Sequence, residues 1–123
     1  MANYILDLRK LVGQRPLIQC GAGVIIKNNN RILLQLRKDN KKWGLPGGSV
    51  EIGEKVEEAA VREVMEESGL HIEIDDLKLF GVFSGKRQHY VYPNGDEVHN
   101  VVTIFIADKY SGELDLENDE SLS

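Results

Sequence analysis

Residues 48–70, GSVEIGEKVEEAAVREVMEESGL, restrict what this 123-residue chain can become more than any other stretch. On a helix, Glu63, Glu66 and Glu67 stand at i, i+3 and i+4 and so share one face. Three like charges on one turn repel and weaken an isolated helix. A fold tolerates them when a cation lies among them, and hard divalent ions such as Mg²⁺ or Mn²⁺ prefer carboxylate oxygen. The spacing predicts a helix over Glu54–Ser68, with Val56, Ala59, Ala60, Val64 and Met65 as its apolar stripe. Gly69 is placed to end it as a left-handed residue. The alternative is a solvated acidic face. Glu57 and Glu58 read that way, near a helix N-terminus where acidic groups are favoured.

Elsewhere the chain reads mostly as strands. Tyr4–Val12 is the exception, an amphipathic helix with Ile5, Leu8, Leu11 and Val12 on one side. Leu17–Lys27 and Arg31–Arg37 form a hairpin signal across an asparagine-rich turn. Trp43–Gly48 is a short extended piece ending in a glycine turn, and Val50–Ile52 a brief strand. After the acidic helix, His71–Ile74, Lys78–Ser84, His89–Tyr92 and Val98–Ala107 alternate or run apolar as strands do. Pro93–Asp96 is a turn, and Gly112–Leu116 opens one more strand. Strands, an internal helix and strands again make an α+β fold, with mixed sheet packed around the helix. One domain spanning residues 1–123 is expected.

Composition narrows the function classes. The formal net charge is −5, whereas sequence-independent binding to a nucleic-acid backbone needs a basic surface. A polynucleotide partner is therefore not expected, and an anionic substrate must be met by local charges. No apolar run approaches ~20 residues, so no membrane-spanning helix is expected. The N-terminus lacks the basic-then-apolar layout of a secretory signal. One cysteine, Cys20, excludes an internal disulfide. It suits a reducing compartment, and a cytoplasmic location is expected. Cys20 alternates with apolar neighbours and reads as a small buried core residue.

The 48–70 segment resembles the Nudix box, GX5EX7REUXEEXGU with U aliphatic. Gly48, Glu54, Arg62, Glu63, Val64, Glu66, Glu67, Gly69 and Leu70 fill every specified position. Seven of these demand a single residue type. At a usage of ~7% per type, chance agreement is on the order of one in 10⁸ per starting point.

The resemblance implies an α/β/α sandwich with mixed sheet. Relatives continue through another strand and a last outer helix, so a C-terminally short chain lacking that helix is the expectation. It implies Mg²⁺-dependent cleavage of a pyrophosphate bond in a nucleoside diphosphate linked to a further group X, with Mn²⁺ able to substitute. By the same resemblance Glu63, Glu66 and Glu67 ligate the metal with the carbonyl of Gly48. Glu63 is a candidate general base, although other family members use a later glutamate. Arg62 orients the carboxylates by pairing with Glu54, or else forms only a surface pair with Glu66. Glu54 and Gly69 are structural.

Around the box, Gly47 and Gly48 let the backbone approach phosphates without a Cβ, and Pro46 stiffens that approach. Arg37 suits bidentate phosphate binding and reads equally as a surface residue. By the resemblance a later-strand glutamate can bind a further metal or activate water; Glu97 is the candidate, assigned to the substrate side, with an ordinary turn residue as the alternative. Trp43 reads as packing beside the box, Tyr90 and Tyr92 share a strand face, and His99 reads as a packed or surface histidine.

A proline that marks some ADP-ribose members is absent, Gly85 and Lys86 holding those positions. A small nucleotide of the triphosphate or nucleotide-sugar type is the favoured substrate, and a homodimer is an expectation carried by the resemblance. Three further readings stand beside it: a catalytically weak binding or regulatory module, a scaffold with an acidic helix, and an RNA 5′-pyrophosphohydrolase. The retained glutamates weigh against the first, and the acidic balance against the last.

Overall fold

The computed structural model describes residues 4–36 and 41–114, and the backbone of 121–122. Its spine is a parallel pair, β1 (Leu17–Asn28) and β8 (Glu97–Ala107), in register from Leu17 opposite Val98 to Ile26 opposite Ala107. β6 (Lys78–Phe83) and β7 (His89–Val91) add antiparallel to β8. β2 (Arg31–Ile32) and β5 (Gly47–Ser49) add antiparallel to β1. The result is a six-stranded mixed sheet. A second, three-stranded sheet runs β4 (Trp43–Gly44), β3 (Leu34–Leu36), β9 (Ser121–Leu122). This is the expected α+β arrangement.

Helix α2 (Val56–Ser68) buries Ala59, Ala60 and Val64 against Ala22, Val24 and Ile26 of β1 and Phe105 and Ala107 of β8. Ile72, fully buried, closes the same core. Burying a side chain of that size is worth about 1.5–3 kcal/mol. Met65, expected in the apolar stripe, is instead exposed. Gly69 ends α2 at φ +79°, its N–H bonded to the Met65 carbonyl at 3.0 Å. Helix α1 (Tyr4–Val12) has the expected bounds and buries no residue fully. Arg9 anchors it beside the starts of β1 and β8, donating to the carbonyls of Arg15 (2.6 Å) and Glu97 (2.5 Å). Among the described residues no helix is long and apolar enough to cross a membrane.

Several expectations are corrected. The helix begins at Val56, not Glu54. Gly53 at φ +83° and the Glu54 N–H bonded to the Glu51 carbonyl (3.0 Å) place Glu54 in a turn before the helix. The strand expected over Arg31–Arg37 splits, β2 pairing with β1 and β3 crossing to the second sheet. Gly47–Gly48 form no turn. They are strand β5, pressed so closely on β1 that a Cβ on Gly47 would lie 2.4 Å from the Ala22 carbonyl oxygen. Val50–Ile52 is consequently not a strand.

His71–Ile74 is reduced to one bridge between His71 and Ser111, after which Ile74–Asp76 curls into a 3₁₀ turn. Residues 112–114 form no strand, and 115–116 lie outside the described residues. Cys20 is exposed, not buried. By strand alternation it shares a face with Ala22 and Val24, but neither Cys20 nor Ile18 is part of the core against α2.

Candidate active site

One face of α2 meets the glycine strand β5. Glu63 lies against Gly48, and a Cβ built on that glycine would fall 2.5 Å from the Glu63 carboxyl carbon. Glu67, one turn on, accepts from the Gly47 N–H at 2.7 Å and from Gln35 Nε2 at 3.1 Å. Glu66, on the same turn, is the more exposed, with 38% of its side chain accessible.

Arg62 joins the helix to the turn before it. Its Nε and Nη2 donate to the two oxygens of Glu54 at 2.7 and 2.9 Å. Nη1 donates to Glu63 at 2.8 Å and reaches Glu66 at 3.5 Å, and Nη2 also meets the Ser49 carbonyl at 2.9 Å. The pair with Glu66 is the longest of these contacts. The Arg62 hydrogen bonds hold the Glu54 carboxyl below the usual glutamate range. Those to Glu54 push Arg62 further toward its charged form. Burial pushes Glu63 the other way, above the usual range, against the opposing pull of Arg62. Glu63 is thus a desolvated carboxylate whose charge Arg62 only partly offsets. A divalent ion fits this donor set: hard carboxylate oxygens, a glycine strand against them that a Cβ would crowd, and residual negative charge.

β5 is also a wall of a cavity of about 440 Å³, within the range of nucleotide-sized sites. Gly47, Gly48 and Ser49 of β5, Gly21 and Gly23 of β1, and Arg87, Tyr90 and Tyr92 line it. Tyr90 and Tyr92 meet edge to face at 4.8 Å between centroids. Glu63, Glu66 and Glu67 are not among the residues lining this cavity; β5 is the element that touches both cavity and carboxylates.

The other expected residues fall as follows. Gly47 lies on β5, its N–H donating to Glu67. Arg37 lies outside the described residues. Glu97 is grouped with His89 and His99, not with the α2 carboxylates. Trp43 is half-exposed on β4. Two residues were missed by sequence reasoning. Gln35 is 2% exposed, supports Glu67, and its Oε1 has no partner among the described residues. Its signal was a glutamine inside an otherwise apolar strand, RILLQL. Arg87 had no signal, because only the fold brings its turn to the cavity.

The profile of the NUDIX domain family matches residues 18–123. The chain belongs to the Nudix family. This Nudix chain is 45% identical over 93 residues to an ADP-ribose pyrophosphatase of Methanocaldococcus jannaschii, covering 73% of the chain and 50% of that protein. It is 58% identical over 50 residues to a putative 8-oxo-dGTP diphosphatase of Bacillus subtilis, covering 40% and 34%. Among solved structures, a MutT NUDIX hydrolase from Burkholderia pseudomallei superposes with TM-score 0.67 at 34% identity, covering 89% and 80%. The chain spans half or less of the length of these two curated relatives.

Proposed function

We propose that this Nudix domain hydrolyses a pyrophosphate bond in a small nucleotide, a nucleoside triphosphate or nucleotide-sugar type of substrate, with Mg²⁺ as cofactor and Mn²⁺ as a substitute. The observation that carries the reading is the placement of Glu63 and Glu67 against Gly48 and Gly47, on a strand that also walls the cavity.

Glu63, Glu66, Glu67 and the Gly48 carbonyl would hold the ion. When bound, it neutralises phosphate charge and lowers the pKa of water. The protein's own groups do the rest. Glu63 accepts the proton of the attacking water. Arg62 fixes Glu63 and Glu54, so the carboxylates keep their geometry as charge moves. The bare backbone of Gly47 and Gly48 lets the diphosphate lie close to the strand. Arg87 is placed to meet phosphate oxygens, and Tyr90 and Tyr92 offer aromatic faces to a base.

The ADP-ribose and 8-oxo-dGTP names of the relatives support a small nucleotide over a polynucleotide, as does the net charge of −5. The test is a panel of nucleoside triphosphates, ADP-ribose-type compounds and 5′-triphosphorylated RNA, incubated with Mg²⁺ in ¹⁸O-labelled water, with products weighed. Release of a nucleoside monophosphate from a small nucleotide supports the reading. Turnover confined to the RNA, or none at all, refutes it.

A further inference from the structure

The proposed hydrolysis makes no use of a second cluster on the β7–β8 hairpin. His89 and His99 stand directly opposite each other in the ladder, their rings 4.6 Å apart between centroids. Glu97 lies two residues before His99, on the same side of β8. Its Oε1 is 2.5 Å from His89 Nε2 and 4.0 Å from His99 Nε2. The three residues' ligand atoms all lie within 4.8 Å of one another. With 33–48% of each side chain accessible, solutes reach them without unfolding.

We propose that His89, Glu97 and His99 form a binding site for a transition-metal ion of the Zn²⁺ or Co²⁺ class, distinct from the hard-cation carboxylates of α2. The chemistry selects the ion. Two imidazoles and one carboxylate suit Zn²⁺, Co²⁺, Ni²⁺ and Cu²⁺, whereas Mg²⁺ seeks oxygen alone. The geometry is close. Tetrahedral ligands at ~2.0–2.2 Å from an ion lie about 3.3 Å apart, a value bracketed by the 2.5 and 4.0 Å separations here. Side-chain rotation suffices, because the backbone is already held: Tyr90 pairs with Val98, and Arg9 donates to the Glu97 carbonyl. Three protein ligands leave a fourth position for water, the pattern of an exchangeable site.

The site has a route to the cavity. His89 follows directly on the 3₁₀ turn Lys86–Gln88, and Arg87, Gln88 and His89 all line the cavity wall. A metal bridging β7 to β8 stiffens that wall.

The experiment is Co²⁺ titration of the whole chain in saturating Mg²⁺, read by visible absorbance and by calorimetry. One equivalent of Co²⁺ is expected, with affinity falling tenfold or more in His89→Gln and in His99→Gln. His71→Gln, whose imidazole pairs with Glu73 elsewhere, should change it less than twofold. Circular dichroism checks each variant's fold, and His99→Gln stands alone if His89→Gln perturbs the hairpin. Three results overturn the proposal: no saturable Co²⁺ binding in Mg²⁺, less than a tenfold effect in a folded histidine variant, or loss of the binding with Glu67→Gln in their place.

Discussion

Arg62 holds both oxygens of Glu54 across eight residues of chain, at 2.7 and 2.9 Å. The pair is bidentate, charge-assisted and mostly shielded, with 22% and 16% of the side chains accessible. It exists because Glu54 sits in the turn before α2, where its carboxylate can lie beside the helix instead of along it. The same guanidinium reaches Glu63 and the Ser49 carbonyl, so helix, turn and glycine strand share one hub.

Arg62→Ala should therefore destabilise the fold by about 2–3 kcal/mol, between the ~0–1 of an exposed pair and the ~3–5 of a broken buried one. Urea melts would measure it. Arg62→Lys should recover only part, because an ammonium cannot bind both oxygens in a plane. A double-mutant cycle with Glu54→Gln should show coupling above ~0.5 kcal/mol. An additive cycle contradicts the hub.

Glu67→Gln should lower turnover at least ~100-fold, the upper range for losing a mere outer-shell partner of a metal site. Folding should be little affected, because a glutamine still accepts from the Gly47 N–H. Steady-state kinetics beside a thermal melt would separate the two effects. Wild-type turnover in the folded variant removes Glu67 from the metal site.

Gly48→Ala tests the close approach of strand and carboxylate. The added methyl would sit 2.5 Å from the Glu63 carboxyl carbon and force it aside. Mn²⁺ affinity, followed by electron paramagnetic resonance, should fall tenfold or more. Stability should fall by about 1–3 kcal/mol, as overpacking usually costs. Unchanged Mn²⁺ binding would show that neither Glu63 nor the Gly48 carbonyl meets the ion.

Glu63 and Glu54 act on stability with opposite signs. Burial raises the proton affinity of Glu63 in the fold. Its favourable share is thus present below the ordinary glutamate value of 4.5 and is lost as pH rises through the folded value. Glu54 is depressed by Arg62. Its share is present above the ordinary value and disappears as pH falls through the folded one. Glu63→Gln should therefore leave the metal-free protein as stable as wild type or more so at pH 7.5, and remove most of the Mg²⁺-induced rise in Tm. In wild type that rise should be larger at pH 7.5 than at pH 4.5. Equal rises at both pH values, or a Glu63→Gln protein that still gains from Mg²⁺, would count against Glu63 as the ion's desolvated partner.

The local pattern alone determined the acidic helix, its Gly69 stop, α1 and the long apolar strands, since each follows from side-chain period and end chemistry within a few residues. Family membership was equally legible, because the specified positions of 48–70 lie in one continuous segment. The tertiary structure decided what depends on partners distant in sequence. Gly47–Gly48 became a strand, not a turn, because Gly21–Gly23 left room for two backbones to touch. Gln35 reached Glu67 because β3 leaves β2 for the second sheet, and Arg87 reached the cavity because β7 pairs back onto β8. Glu97 joined His89 and His99 because the hairpin register set them opposite one another. Periodicity describes which way a side chain points along its own element; what it meets there is set by packing between elements, which no local window contains.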